Sequence, residues 1–354
     1  MMKWWILMLI LKLQFDQIRT EAHETCTTSS RQIGQCKLVK DCEFVRSILH
    51  NPNPTHEEWY YLDHNTCGKV HADPVPKPLI CCPEIYNVPE CGVAKIGNRI
   101  FGGDESVLGE IPWAGVIVYR ISKKRLSVKC GCSLLNSRWA LTAAHCINDV
   151  PSSWRIHQVR FSEWNILKKP RCTVLDGVMI CRQEYDIERS VVHPLYQTNS
   201  ASMRHDVALL KTVKEVQFND YVIPICLPYS EEIREMPING QKFIVTGWGQ
   251  TDKGNKAGVQ RHVTIAGQDN SMCNTAFSRL NITLTIEQIC AGGEFGEDSC
   301  RGDSGGSLTL QHGLVNYQIG VVSFGAVECG TKNHPGIYTN VIQYLDWIED
   351  VMID

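Results

Sequence analysis

Short apolar runs recur along most of the chain, each closed by glycine, proline, asparagine or serine. The pattern predicts strands over 113–119, 133–141, 158–161, 207–211, 243–248, 320–324 and 336–338. Many short strands separated by turn signals imply an all-β architecture. The last stretch, 341–352, departs from it, because Val341, Leu345, Ile348 and Met352 fall on one helical face and predict a C-terminal packing helix. Residues 26–82 have another character, with prolines at 52, 54, 74, 76 and 78 and no helical periodicity beyond about 41–49. The first residues differ again. Met1-Met2-Lys3 precedes the apolar run 4–11, which is the layout of a signal peptide and is too short to span a bilayer; Thr20 and Ala22 suit its cleavage site.

Composition narrows the setting. Of 354 residues, 43% are hydrophobic, which is ordinary for a globular chain with a proper core. Lys and Arg number 35 against 38 Asp and Glu and no basic run is read, so neither nucleic acid nor an acidic membrane surface is an expected partner. Seventeen cysteines without zinc-ribbon spacing argue for disulfides and a secreted, extracellular location. Asn281-Ile282-Thr283 is a glycosylation acceptor. The expected division is a signal peptide over 1–22, a cysteine-rich module over 23–82, a linker over 83–99 and a large domain over 100–354.

The candidate chemistry centres on Ser304, within Asp298-Ser-Cys-Arg-Gly-Asp-Ser-Gly-Gly306. A serine hydroxyl is a poor nucleophile unless a base takes its proton and a third group holds that base. His145, in Leu141-Thr-Ala-Ala-His-Cys146, and Asp206, ahead of an apolar run, supply both. Gly302-Asp-Ser-Gly-Gly306 also fits the nucleophile elbow of α/β-hydrolases, whose acid and histidine follow the serine. Only His312 and His334 follow Ser304, with too little chain left for that fold. The order His, Asp, Ser is that of chymotrypsin-like proteases.

These three stretches, with Asn98-Arg-Ile-Phe-Gly-Gly103, resemble a trypsin-like serine protease of the chymotrypsin family over roughly 100–354. The resemblance implies two Greek-key β-barrels with the site between them. It makes His145, Asp206 and Ser304 the catalytic residues, and the N–H groups of Gly302 and Ser304 the oxyanion hole. Asp298 becomes the pocket floor selecting Arg or Lys, Gly325 and Gly336 its walls, and Ser323 both a support of Asp206 and a substrate-binding residue. Arg301 falls at the pocket rim. Phe324 stands where tryptophan is usual, and His205, where asparagine is common, reads as a wall residue. Arg99-Ile100 is the implied activation cut, after which the new Ile100 amine pairs with Asp303.

Residues 26–82 resemble a CLIP domain, the module ahead of many arthropod serine proteases, the adjacent Cys81-Cys82 being its most specific mark. That resemblance implies Cys26–Cys81, Cys36–Cys67 and Cys42–Cys82. The protease resemblance implies Cys130–Cys146, Cys172–Cys181, Cys273–Cys290 and Cys300–Cys329, and leaves Cys91 with Cys226. Cys132 remains, either a buried free thiol or a link to another chain. No cofactor is required, although the carboxylates between Glu163 and Glu184 form a candidate calcium loop.

The function implied is a secreted zymogen, cut after Arg99 by an upstream protease. Its substrates would be proenzymes or cytokine precursors in an extracellular cascade of innate immunity, melanisation or development, and serpin-type inhibitors would be further partners. A non-catalytic homologue that binds partners, or a digestive trypsin, are the rival readings. An intact Ser304 opposes the first and the CLIP-like module opposes the second.

Overall fold

The computed structural model describes residues 25–29, 33–50, 54, 56–70, 77–83, 87–88, 91–96, 105–167, 171–175, 177–249, 258–294, 302–325 and 331–353. The chain divides into two compact units, with the boundary at Pro89 and Glu90.

In the first unit, β1 (Thr25–Thr27), β2 (Ile33–Leu38), β3 (Thr66–Val70) and β4 (Lys77–Pro83) form an antiparallel sheet in the order β1-β2-β4-β3. Helix α1 (Glu43–His50) buries Val45 and Ile48 and exposes Arg46 and Leu49, the amphipathic spacing expected of a helix on a sheet. A second helix, α2 (His56–His64), was not expected. It lacks an apolar stripe, since Trp59 and Tyr60 are exposed and only Tyr61 is buried. Tyr61 explains the helix: its ring meets Phe44 edge-on at 4.8 Å, and its hydroxyl donates to the Cys81 carbonyl. The core is small, built from Cys42, Val45, Ile48, Tyr61, Ile80 and Cys82. Bridges Cys26–Cys81, Cys36–Cys67 and Cys42–Cys82 supplement it, as a unit this size requires.

The second unit holds two closed barrels. The first uses β5 (Ala114–Ser122), β6 (Arg125–Leu134), β7 (Trp139–Thr142), β8 (Arg155–Phe161), β11 (Gln183–Val192) and β12 (Ala208–Thr212), in the order β11-β12-β7-β6-β5-β8. A separate hairpin, β9 (Cys172–Leu175) with β10 (Val178–Cys181), pairs the cysteines of the bridge Cys172–Cys181. The second barrel uses β13 (Lys242–Gly247), β14 (Arg261–Gln268), β15 (Gln288–Ala291), β16 (Ser307–His312), β17 (Val315–Phe324) and β18 (Gly336–Asn340), in the order β13-β14-β15-β18-β17-β16. Both barrels follow one plan: three strands in a meander, the fourth returning beside the first, and the last two closing the ring.

One expected strand is corrected. Residues 133–141 are the end of β6, a turn and β7, because the Asn136 side chain accepts the N–H groups of Arg138 and Trp139, both at 2.9 Å, and folds the chain back. At the C-terminus a 3₁₀ turn, Val341–Tyr344, leads into helix Leu345–Ile353, and Val341, Leu345 and Ile348 are buried as their spacing predicts.

Candidate active site

Each functional side chain lies at the end of a strand, where barrel regularity gives way to a turn. His145 opens a single helical turn, His145–Asn148, just after β7. Asp206 precedes β12 and is fully buried. His145 Nδ1 lies 2.8 Å from Asp206 Oδ2, and the His145 backbone N–H donates to Asp206 Oδ1 at 2.8 Å. The second barrel supplies two further bonds to the same residue. Ser323 Oγ, on β17, donates to Asp206 Oδ2, and Thr339 Oγ1, on β18, donates to the Asp206 carbonyl at 2.7 Å. Every strong acceptor on this buried acid is thereby met, as a buried charge demands. Burial works against a charged His145, but the charge and hydrogen bond of Asp206 outweigh it, and the imidazole is held above its ordinary pKa.

Ser304 lies in the turn between Gly302 and β16. Gly302 and Gly305 have φ of 108° and 80°, a region open to glycine and costly for other residues. A Cβ on Gly305 would stand 2.3 Å from Thr142 Oγ1 and 2.5 Å from the Gly131 carbonyl, so the turn packs directly against the first barrel. Gly131 N–H donates to the Ser304 carbonyl at 2.8 Å, and its neighbour Cys130 is bridged to Cys146, next to His145. Strand β6 therefore braces base and nucleophile together. The N–H groups of Gly305 and Gly306 are engaged by Val322 and Asp303, both at 2.9 Å. Among the described residues, those of Gly302 and Ser304 have no internal acceptor. Asp303 Oδ1 accepts the Gly249 N–H at 2.7 Å, and a Cβ on Gly247 or Gly249 would strike its carboxylate.

Gly325 and Gly336 face each other closely: a Cβ on Gly325 would lie 3.6 Å from the Gly336 Cα. Asp298, Arg301, the pair Cys300 and Cys329, and the Arg99-Ile100 cut lie outside the described residues. Cys91–Cys226 and Cys273–Cys290 are formed. Cys132 is a buried free cysteine, 1% exposed, and burial pushes its thiol well above the ordinary range. His205 has φ of 59°, meets Tyr344 Oη at 3.0 Å and stacks on the His193 ring. Asn281, with φ of 54°, is exposed beside a 3₁₀ turn, open to a glycan.

The candidate calcium loop has different partners. Glu163 lies 3.6 Å from Arg160 and 3.4 Å from Arg182, while Glu184 lies 3.0 Å from each arginine. Calcium takes about six to eight oxygen ligands. Among the described residues, two guanidinium groups between the carboxylates leave no such cage, and these residues do not fit the ion.

Thr339 and Gly131 are site residues that sequence reading missed. Thr339 carried one signal, a small aliphatic hydroxyl closing the run Gly336-Ile-Tyr-Thr339. Gly131 carried none beyond its place beside Cys130.

With this geometry in view, the comparison with known proteins is decisive. The family model "Trypsin" matches residues 100–348, and "Regulatory CLIP domain of proteinases" matches residues 26–82. The chain belongs to the trypsin family. Its CLIP domain places it among the insect CLIP-domain serine proteases. CLIP domain-containing serine protease B15 of Anopheles gambiae is 43% identical over 331 residues, 93% of this chain and 91% of that protein. Melanization protease 1 of Drosophila melanogaster is 34% identical, over 92% of each chain. Among solved structures, the Drosophila Grass clip serine protease of the Toll pathway superposes with a TM-score of 0.62 at 28% identity, covering 94% of this CLIP-domain protease and 98% of that chain.

Proposed function

We propose that this protein is a secreted endopeptidase zymogen that, once cut after Arg99, hydrolyses protein substrates after Arg or Lys in an extracellular cascade. The observation that carries the reading is the buried Asp206 holding His145 Nδ1 at 2.8 Å beside an intact Ser304 turn. Ser304 Oγ attacks the scissile carbonyl as His145 Nε2 takes its proton. Asp206 fixes the tautomer and stabilises the imidazolium, which then protonates the leaving amine. The N–H groups of Gly302 and Ser304 receive the oxyanion, each such donor contributing about 10²–10³ in rate. Asp298 at the pocket floor gives the preference for a cationic side chain through a charge-assisted bond. The cascade role is supported by relatives named for melanisation and for the Toll pathway. Substrates of the proenzyme or cytokine-precursor class, an upstream Arg-specific activator and serpin-type inhibitors belong to the same reading. So does secretion, supported by the cysteine content and the leader-like first residues. Among the described residues, no helix is long and apolar enough to cross a membrane.

Activation couples to the site through Asp303. Cleavage turns the Ile100 amide into an amine that pairs with this carboxylate, and a missing partner in such a buried pair costs about 3–5 kcal/mol.

The test is direct. The purified chain is nicked with a trace of an Arg-specific protease, the new N-terminus is sequenced, and Arg and Phe peptide esters are compared. Arg-ester hydrolysis appearing with a terminus at Ile100, and absent from Arg99→Gln, is the expected result. Full activity in uncut Arg99→Gln overturns the zymogen reading. No activity after a correct cut favours the non-catalytic homologue.

A further inference from the structure

Charge along the first barrel is lopsided in a way the net balance hides. From residue 111 to residue 162 the chain carries eight Lys and Arg and one acid, Asp149. That acid accepts the Tyr196 hydroxyl at 2.6 Å. Arg138 and Arg160 have carboxylate partners, Glu188 and Glu163. The other six, Arg120, Lys123, Lys124, Arg125, Lys129 and Arg155, are all exposed, and none has a carboxylate partner among the described residues.

The fold gathers them. Lys123, Lys124 and Arg125 lie at and beside the β5–β6 turn, and Arg120 on β5 stands directly opposite Arg155 on β8. Like charges in register across two strands cost stability. Arg120 turns to the His157 ring at 3.0 Å, and Arg155 to the carbonyls of Ser152 and Trp154. Lys129 lies 5.4 Å over the Trp154 ring. A chain with a formal charge of −3 thus gathers six cations that have no carboxylate partner among the described residues. β6 links that face to catalysis, since it continues into Cys130 and Gly131, the brace of His145 and Ser304.

Apolar surface adjoins the charge. Trp154, Arg155 and Ile156 also line an open cleft of about 440 Å³, where the apolar side chains of Ile147, Val150 and Ile187 stand beside the polar ones of Asn148, Ser152, Glu188 and Arg189. Leu126, paired with Arg120, is 42% exposed. A sulfated sugar would use the cations and leave the cleft idle, whereas a polypeptide with acidic and aliphatic side chains uses both.

We infer that the β5–β6 turn, the start of β8 and the Trp154–Ile187 cleft form a docking surface for an acidic, apolar-anchored polypeptide segment of the protein substrate, separate from the primary pocket. Naming the substrate as its source rests on the proposed protease function; the surface does not. It recruits by charge, raising the encounter rate, and the cleft fixes the segment in place.

Binding is measurable on uncut, full-length Ser304→Ala, so catalysis is not required. The probes are fluorescein-labelled 15-residue peptides of Glu-Asp-Leu repeats, matched Glu-Asp-Ser repeats, and low-mass heparin, read by anisotropy across salt concentrations. The expected result is binding of the leucine peptide that weakens with salt, falls at least tenfold with Ser in place of Leu, and falls at least tenfold in Lys123→Glu/Lys124→Glu/Arg125→Glu. Arg-ester hydrolysis by that triple variant, with Ser304 restored and the chain cut, stays at the wild-type rate and shows that it folds. Leucine-peptide binding unchanged by charge reversal overturns the surface. Equal binding of both peptides overturns the cleft as anchor. Heparin bound through the same residues, with neither peptide bound, overturns the polypeptide as ligand. A wild type inactive on esters that still binds the leucine peptide refutes the protease reading while the surface stands.

Discussion

The two barrels of the protease unit share one strand plan and carry unequal burdens. The first carries His145 and Asp206, the base and acid of the proposed mechanism, and the second carries Ser304, its proposed nucleophile, with the glycine turn. Asp206 does not belong cleanly to either. It sits in the first barrel's chain, where it accepts the His145 N–H groups, but Ser323 and Thr339 of the second barrel hold its other faces. An acid shared in this way makes activity a readout of how the barrels are registered on each other. Equal architecture therefore does not mean equal or separable roles.

Removing the second barrel's nucleophile is the most severe way to probe that division. Ser304→Ala is expected to lower kcat by about 10⁶, with secretion and thermal unfolding unchanged, because the triad acts as a unit. Loss of secretion would instead make Ser304 a structural residue. Removing the first barrel's acid comes next: Asp206→Asn, on the cut enzyme, is expected to cost about 10⁴ in kcat through the wrong histidine tautomer.

The pH dependence sharpens the same point because activity and stability carry opposite signs. Catalysis needs neutral His145, so kcat/KM falls as pH drops through a pKa above about 6.5. The imidazolium–Asp206 pair stabilises the fold fully below pH 6.5 and is lost as pH rises through the higher, folded-state value. An acid limb in kcat/KM centred below 6.5 would show that Asp206 does not dominate. The bond that spans the barrels should matter less: Thr339→Val leaves the buried Asp206 carbonyl short of a donor, at about 1–3 kcal/mol of stability, and is expected to lower kcat/KM about tenfold at unchanged specificity. An unchanged kcat with lowered stability would make Thr339 purely a packing residue. The smallest effect lies behind the site. His193 stacks on His205 at 5.1 Å, and burial with the neighbouring imidazole depresses its pKa to about 4. A depressed histidine stabilises above its unfolded pKa of about 6.5, and that contribution fades as pH falls from there towards 4. Melting curves of His193→Phe should therefore be flatter over that window than those of the wild type.

Much of this was readable because it is local. The triad motifs, the C-terminal helical face and the cysteine spacing each occupy a few consecutive residues, and their order along the chain was enough to separate one hydrolase topology from another. What was not readable is long-range or rests on one side chain. Helix α2 forms around Tyr61 without an apolar stripe, so periodicity has nothing to detect. Asn136 splits the expected strand 133–141 by accepting the N–H groups of Arg138 and Trp139. Thr339 reaches Asp206 across 133 residues of sequence. The two arginines among the loop carboxylates were visible as residues but not as partners, since their pairing is set by β8 meeting β11.

The leash on either side of the proposed cut has a definite length. Gly92 is fixed upstream, exchanging backbone bonds with Asn316 and Pro224 beside the Cys91–Cys226 bridge, and Ser106 is fixed downstream by two bonds from its hydroxyl to Gln260. Between Ser106 and a freed Ile100 amine there are only five residues, a reach of roughly 20 Å at full extension. Closing so short a loop takes on the order of 10–100 ns. On this geometry the search of the new terminus for Asp303 is far faster than any proteolytic turnover. On the zymogen reading proposed above, the tether then sets no slow step, and the rate at which active enzyme accumulates follows the activating cut rather than the search of the new terminus.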